Sequence, residues 1–311
     1  MKQLLSISLL LIAGPLAAQE RRAPPPTFSS DQLQGIFFDK LSDAIRGQRP
    51  SLSSLRNSAT PVTGNPSATP GSSKTDTAGS GGNEWTRLID PSSIEDEVKR
   101  MKLHFDSIVT TPSAFNGGGY QEARLDLTVL ATLFAVIGEH DGEVRWKKHA
   151  ASARDLLART AFNCKAGSTQ VYNEAKLRKA DLQDLVSGSG LPGRAGEPQT
   201  DWSKIADRSP LMEYAEDLIE TLEDATNDGA TIKQQADLVR RNAELIAVLG
   251  EALSQEGMDD ADDEDYAKLS RAMSEAGSNL AVATETSDAK QIQSAVGAIR
   301  KRCDACHEQY R

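Results

Sequence analysis

The chain has 311 residues, of which 38% are hydrophobic, and it carries a net charge of −10 and three cysteines. So few cysteines exclude a disulfide-stapled scaffold. The net negative charge argues against nucleic-acid binding, because neutralising phosphates requires a basic surface. When the segment rich in Pro, Ser, Thr and Gly at residues 19–84 is set aside, the remaining chain is long enough for two domains of about 110 residues each.

The first residues have the three parts of a secretory signal peptide. Lys2 provides the basic start, an apolar run follows, and Ala17 and Ala18 are the small residues of a cleavage site. The apolar run is shorter than the roughly 20 residues that span a bilayer, which disfavours a retained membrane anchor. Residues 1–18 are therefore predicted to be removed, and the mature protein to be periplasmic or secreted with no membrane span.

Residues 19–84 are predicted to form a mostly disordered leader, because such a composition buries too little apolar surface to offset its chain entropy. Residues 30–47 are an exception, since an apolar residue recurs there every four positions, at Leu33, Phe37, Leu41 and Ile45. This is the spacing of one apolar helix face. It predicts a short helix, either marginal within the leader or docked on the folded body, a partner or a membrane surface.

From Trp85 onward the apolar residues have helical periodicity, and no stretch alternates as a strand would. The first half of this region, residues 85–187, contains four predicted helical segments, at about residues 91–110, 120–140, 143–165 and 169–186. Pro112 ends the first of them. A stretch rich in Gly and Pro at residues 188–200 is predicted to be a linker to the second half, residues 201–311.

The second half has the same pattern of helices. Pro210 marks its first helix, Gly229 a turn, and the acidic residues 258–265 lead into a third helix. Ser287 and Asp288 are predicted to cap the last helix. Because short loops favour antiparallel neighbours, the predicted fold is all-α, with two tandem antiparallel four-helix bundles.

A short internal repeat links the two halves. Residues 131–139 align with residues 243–251, and six of the nine positions are identical. Together with the equal helix count and similar length, this match favours common descent over chance.

The strongest functional signal is the sequence Cys-Asp-Ala-Cys-His at residues 303–307. CxxCH is the attachment pattern of a c-type haem. Positions i, i+3 and i+4 share one helix face, so Cys303 and Cys306 can form thioethers with the haem vinyl groups. His307 can then reach the iron as the proximal ligand.

Three other readings of this motif are weaker. A thioredoxin-like redox site requires a strand before the helix, which is absent. A zinc site requires a fourth ligand and usually a second Cys/His pair. A disulfide gains little from closing so short a loop.

The residues from Ile299 to Arg311 closely resemble the C-terminal helix of the cytochrome c′ family, the class II c-type cytochromes. In that family CxxCH lies on the fourth helix near the chain end and is commonly followed by an aromatic residue and Arg, here Tyr310 and Arg311. The resemblance covers about residues 200–311. It implies one covalent haem c in an up-down-up-down four-helix bundle, which is the fold of cytochrome c′.

The resemblance also implies that a residue of the first helix lies over the distal haem face. The family commonly has Arg near the start of that helix and Met or Leu four residues later, and Arg208 and Met212 have this spacing. Met212 is interpreted as a second axial ligand, as a residue that packs in the distal pocket, or as an unrelated core residue. Arg208 is interpreted as the partner of a haem propionate or as a solvated residue.

The first half lacks this chemistry. In a gapped alignment, Asp181, Asp184 and Leu185 stand where Cys303, Cys306 and His307 stand, which predicts a degenerate, haem-less bundle. Cys164 is predicted to be a small buried hydrophobe. His104, His140 and His149 are interpreted as ordinary histidines, because no Glu-x-x-His pair of a di-iron bundle accompanies them.

Two functions follow as hypotheses. The first is an exported mono-haem cytochrome that passes electrons to or from a redox partner protein. The second is a five-coordinate haem module that binds or senses a small gas such as NO or CO. An enzyme is not predicted, because no nucleophile, general base or phosphate loop is evident. Since members of the family often dimerise through their first two helices, the two bundles are also expected to form an intrachain pseudo-dimer.

Overall fold

The computed structural model describes residues 83–191, 196, 199 and 201–310. These residues form helices and no strand, which confirms the all-α prediction. The predicted signal peptide, the leader up to residue 82 and the helix at residues 30–47 lie outside the described residues. No helix in the described ranges is both long and apolar enough to cross a membrane.

The first half is an antiparallel four-helix bundle preceded by a short helix. Its helices are α1 (Glu84–Leu88), α2 (Pro91–Ile108), α3 (Tyr120–Glu139), α4 (Ala150–Asn163) and α5 (Thr169–Ser187). Helix α3 packs against α2 and α4, and α5 closes the bundle against the same two helices. As predicted, α2 ends before Pro112. The chain then kinks at Gly118, whose φ of 150° lies outside the helical region.

Helix α4 begins later than the sequence predicts. The expected start is residue 143, whereas α4 begins at Ala150, after a 3₁₀ turn at Lys147–His149. The cause lies at Trp146, whose backbone is left-handed with a φ of 67°. Its indole Nε1 donates a hydrogen bond of 2.8 Å to the Leu185 carbonyl. Because a left-handed residue cannot continue a right-handed helix, the predicted start is wrong.

The second half is a bundle with the same connectivity. Its helices are α6 (Arg208–Ala225), α7 (Gly229–Gln234), α8 (Ala236–Leu253), α9 (Glu264–Thr286) and α10 (Ala289–Tyr310). Helix α8 packs against α6 and α9, and α10 packs against the same two helices. The helix that the sequence predicts after the turn at Gly229 is interrupted at Gln235, which separates α7 from α8. The predicted cap of α10 is confirmed, since Asp288 accepts hydrogen bonds from the backbone N–H groups of Lys290 and Gln291.

The two helices that carry the internal repeat are the most deeply buried. Every residue is buried from Asp126 to Ile137 on α3 and from Asn242 to Leu253 on α8. A helix that is buried all round needs neighbours all round. Accordingly, α3 also packs against α6 of the second bundle, and α8 also packs against α1 of the first. Apolar residues of both halves therefore belong to one contiguous core.

Two reciprocal ion pairs connect the bundles. Asp90, at the N-terminus of α2, pairs with Arg240 of α8. Asp207, at the N-terminus of α6, pairs with Arg124 of α3 at 2.6 Å. In each case the aspartate before a bundle's first long helix binds an arginine on the second long helix of the other bundle. Such reciprocity is the mark of a two-fold arrangement.

Two tryptophans meet between the bundles. Trp85 and Trp202 stack with their ring centroids 5.4 Å apart, and both are buried. Each lies five residues before its bundle's aspartate, Asp90 or Asp207. Equivalent residues touch each other only on a two-fold axis, so this stack and the reciprocal ion pairs indicate an approximate internal two-fold axis.

Candidate functional site

The CxxCH residues lie in the last turns of α10. This helix packs into the bundle through Ile292, Val296 and Ile299, which are buried. Their spacing of four and three residues continues to Cys303 and Cys306, so the same apolar face carries the two thiols. Both cysteines are partly buried, and the sequence therefore turns them toward the inside of the bundle.

At this end of the second bundle the helices surround a cavity of about 330 Å³. Its wall contains all five residues that the sequence predicts to bind haem, namely Arg208, Met212, Cys303, Cys306 and His307. Most of the remaining wall is apolar, with Ala215, Ile219, Leu253, Leu269 and Met273. An apolar cavity with a few converging polar groups is the usual form of a cofactor site.

The chemistry of the two cysteines suits thioether attachment better than the alternatives. Both are free thiols. Burial raises the pKa of Cys303 to about 11 and also raises the pKa of Cys306. A thiol–disulfide redox motif works through a lowered thiol pKa, which is the opposite shift. Within the described ranges, no group of three or more His, Cys, Asp or Glu side chains is arranged to hold a metal ion.

The residues present therefore fit a haem c. Two thiols and one imidazole follow one another on a single helix, and they line an apolar cavity together with a methionine on the neighbouring helix α6. Thiols supply thioether links and imidazole supplies the proximal ligand, while apolar walls bury the ring.

Arg208 has a protein partner in this structure. Its guanidinium pairs with the Asp260 carboxylate at 2.6 Å and lies over the ring of Tyr266, 5.5 Å from the centroid. Asp260 belongs to the acidic stretch between α8 and α9, so the ion pair fastens this stretch to the start of α6 beside the cavity. The pairing of Arg208 with a haem propionate stays a prediction.

The acidic stretch also starts α9. Asp263 accepts hydrogen bonds from the backbone N–H groups of Asp265 and Tyr266, at 2.8 and 3.3 Å. This is the role that the sequence predicts for these residues, because acidic side chains stabilise a helix N-terminus.

Met212 lines the cavity from α6, where it is half-buried and also packs against the core. All three interpretations of Met212 stay predictions, including the one in which its sulfur reaches the iron.

Sequence reasoning missed the contribution of α9 to the site. Tyr266, Leu269 and Met273 share the apolar face of α9, and in the structure this face lines the cavity. Tyr266 also contacts Tyr310 edge-on, with ring centroids 5.1 Å apart. A core stripe and a cavity wall have the same spacing in sequence, so periodicity alone carries no signal that separates them.

In the first bundle, the residues aligned with the CxxCH motif make ordinary structural contacts. Asp181 pairs with Arg178 at 2.8 Å, and Leu185 is buried. Cys164 is fully buried, and burial raises its pKa to about 12. None of these three side chains supplies an imidazole or an accessible thiol. That the first bundle is haem-less stays a prediction.

The three histidines of the first half lie in separate surroundings. His104 Nδ1 lies 2.9 Å from the Asp126 carboxylate. His140 Nε2 lies 3.0 Å from the carbonyl oxygen of Ile89. His149 lies at the start of α4. Each ring thus has its own environment.

Comparison with known proteins bears on the second half of the chain. The family model described as cytochrome C′ matches residues 203–311, which confirms the resemblance found in the motif. The matched residues contain the whole cavity wall of the candidate site. No curated protein and no solved structure matches the chain. The family match and the site together indicate a haem c protein.

Proposed function

Because residues 203–311 match the cytochrome C′ family, we propose that this protein is an exported mono-haem c-type cytochrome that transfers electrons to or from a redox partner protein. The observation that carries the proposal is the convergence of Cys303, Cys306 and His307 on one apolar cavity. When bound, haem supplies a one-electron ferric/ferrous couple. No catalytic turnover is part of the proposal.

Cys303 and Cys306 would hold haem through thioether links to its two vinyl groups. The raised pKa of Cys303, about 11, keeps that thiol protonated beforehand. His307, next to Cys306 on the same helix, provides the imidazole nitrogen for the iron.

The position of Met212 in the cavity wall supports electron transfer as the primary role of the protein. It lines the cavity from α6, whereas His307 lines it from α10. With its thioether as a second iron ligand beside the His307 imidazole, Met212 would suit haem to electron transfer, because Met ligation raises the reduction potential. In the alternative, a five-coordinate gas-binding protein, Met212 only packs beside the position that NO or CO would take.

Optical spectra of the ferric and ferrous protein test this proposal. We expect a low-spin spectrum for the natural protein, a high-spin spectrum for Met212→Ala, and an unchanged spectrum for the control Met273→Leu, which alters another methionine of the same wall. A high-spin natural protein that rapidly binds CO would favour the gas-binding alternative. Absence of covalent haem after expression in cells that mature c-type cytochromes would overturn both functions.

We also propose that the haem-less bundle takes the place of a second subunit, so that the full chain works as a monomer. The stacking of Trp85 on Trp202 and the reciprocal ion pairs support this role. Sedimentation velocity of the full-length protein at increasing concentration tests the idea. We expect the mass of one chain throughout, and a stable dimer would contradict the proposal.

Export is the remaining part of the proposal. A periplasmic or secreted location agrees with where c-type haem is attached in bacteria. N-terminal sequencing of the mature protein should begin directly after Ala18, and an intact residue Met1 on purified protein would contradict export by this route.

A further inference from the structure

The first bundle has a cavity of its own near the end of its last helix, α5. It differs in construction from the candidate haem site, which α6, α9 and α10 line. In the first bundle the α3–α4 connection meets the end of α5, and an open cavity of about 470 Å³ lies there. Its wall comprises residues 143–149, Leu185, Gly188 and Gly190. Leu185 is aligned in sequence with His307 of the second half, and the imidazole in this wall is that of His149.

The floor of this cavity is apolar. Val144 and Leu185 are buried, and Trp146 is half-buried between them. The indole of Trp146 is anchored, since its Nε1 donates to the Leu185 carbonyl and its ring lies 6.2 Å from that of Phe134. A fixed aromatic surface next to aliphatic side chains favours a ligand with an apolar body.

The rim of the cavity is basic, although the chain as a whole has a net charge of −10. Its cationic and titratable residues are Arg145, Lys147, Lys148 and His149, against the single acidic residue Glu143. The exposed Lys148 has no hydrogen bond or ion pair with any residue that the structure describes. A wall with more cationic than acidic side chains favours a bound anion.

The backbone around the cavity is held in two unusual conformations. Trp146 has a φ of 67°, which is uncommon for a bulky residue and persists only where the surroundings enforce it. Gly190 has a φ of 75°, and a Cβ atom there would lie 2.6 Å from Nε2 of His149. Together they set the indole as the floor and the imidazole against the wall.

We propose that this cavity binds an amphiphilic organic anion, meaning an apolar and preferably aromatic body that carries a carboxylate, phosphate or sulfonate. The body lies on Val144, Trp146 and Leu185, and the acidic group lies at Arg145 and Lys148. This site is separate from the candidate haem cavity, so the inference does not depend on the proposed function.

The test uses the full-length, haem-loaded protein and the probe 8-anilinonaphthalene-1-sulfonate. Isothermal titration gives the affinity for the natural protein, for Lys148→Glu and for the matched control Lys233→Glu, an exposed lysine of the second half. We expect Lys148→Glu to weaken binding by about tenfold, as reversal of one charge beside an anion should, and Lys233→Glu to leave it unchanged. Equal affinity in all three proteins, or no measurable binding to the natural protein, would overturn the proposal.

Two further measurements test where the probe binds and which chemical class of ligand the cavity prefers. The chain has three tryptophans, so a spectrum of ¹⁵N-labelled indoles reports on each of them, and Trp146→Phe assigns the resonance at the cavity. We expect the probe to shift the Trp146 signal and to leave those of Trp85 and Trp202 in place. We also expect the uncharged analogue N-phenyl-1-naphthylamine and inorganic phosphate to bind much more weakly. Shifts of Trp85 or Trp202 alone, or equal binding of the uncharged analogue, would contradict this site.

Discussion

The Tyr214 hydroxyl donates a hydrogen bond of 2.6 Å to the Glu97 carboxylate across the boundary between the two bundles. Both side chains are buried. Glu97 also accepts a hydrogen bond from Arg100 of its own helix and lies 3.7 Å from Arg241 of α8. Burial and the neighbouring carboxylate raise the pKa of Tyr214, so its hydroxyl stays a donor at neutral pH.

Removal of this hydroxyl should weaken the contact between the bundles. Tyr214→Phe leaves a buried charge with one hydrogen bond fewer, and hydrogen bonds to charged groups contribute about 1.5–3 kcal/mol. We expect the free energy of unfolding to fall by that amount in urea denaturation. The control is Tyr172→Phe, whose hydroxyl donates to the uncharged Thr110 carbonyl at 3.0 Å within the first bundle. The prediction is wrong if Tyr172→Phe lowers the free energy of unfolding by as much as Tyr214→Phe.

Two glycines in helices predict opposite effects of the same substitution. A Cβ on Gly277 of α9 would lie 2.6 Å from the backbone nitrogen of Ala247 on α8, whereas nothing lies within 4 Å of a Cβ on Gly297 of α10. Gly277→Ala should therefore destabilise the protein by about 1–3 kcal/mol through overpacking. Gly297→Ala should stabilise it by about 0.5–1 kcal/mol through helix propensity. Urea denaturation distinguishes them, and stabilisation by both would show that α8 and α9 do not cross this closely.

The positions of most helices follow from the sequence because an amphipathic helix repeats its apolar residues with a helical period. The neighbours of a helix do not follow in this way. Helices α3 and α8 are buried all round, so their residues do not show which face meets the other bundle. The stacking of Trp85 on Trp202 depends on that arrangement and became evident only in the structure.

The candidate site shows the same difference between features that are local in sequence and features that depend on the fold. Cys303, Cys306 and His307 could be predicted because their chemistry depends on positions that are close in sequence. The pairing of Arg208 with Asp260 joins residues that lie far apart in sequence, and many carboxylates of the chain could serve equally well. The left-handed Trp146 depends on a hydrogen bond to Leu185, which local propensity does not contain.

The contact between the exposed His104 and the buried Asp126 carboxylate predicts a pH-dependent stability. Burial raises the pKa of Asp126 to about 7, although His104 and Arg100 act in the other direction. In the unfolded chain the pKa of an aspartate is about 3.9. The folded state therefore binds this proton more tightly, and the resulting stability is complete below about pH 4 and is lost as the pH rises through about 7.

Asp126→Asn should remove this pH dependence. Between pH 4 and pH 8 the free energy of unfolding of the natural protein should fall relative to that of the variant by about 2–4 kcal/mol. Urea denaturation at a series of pH values measures the difference. Glu122→Gln removes a nearby exposed carboxylate and should keep the natural slope. A rise in stability of the natural protein relative to Asp126→Asn over this range would contradict the buried, protonated carboxyl.

Arg208 and Asp260 form an ion pair at the edge of the candidate site. Replacing either one alone should shift the haem reduction potential, in opposite directions for the two residues. Arg208 and Asp260 balance each other's charge. Asp260→Asn leaves an unbalanced positive charge that stabilises the electron-rich ferrous state, so the midpoint potential should rise. Arg208→Gln leaves a negative charge and should lower it. A partly screened charge of this kind shifts a one-electron potential by tens of millivolts, on the order of 1 kcal/mol.

Spectroelectrochemical titration of the haem-loaded protein measures these shifts. The control is Asp262→Asn, which removes an exposed carboxylate of the same acidic stretch and should change the potential much less. The double variant of Arg208 and Asp260 should return close to the natural value, because the net charge beside the cavity is then restored. Shifts of the same sign in the two single variants would show that Arg208 acts through the structure of the acidic stretch rather than through its charge.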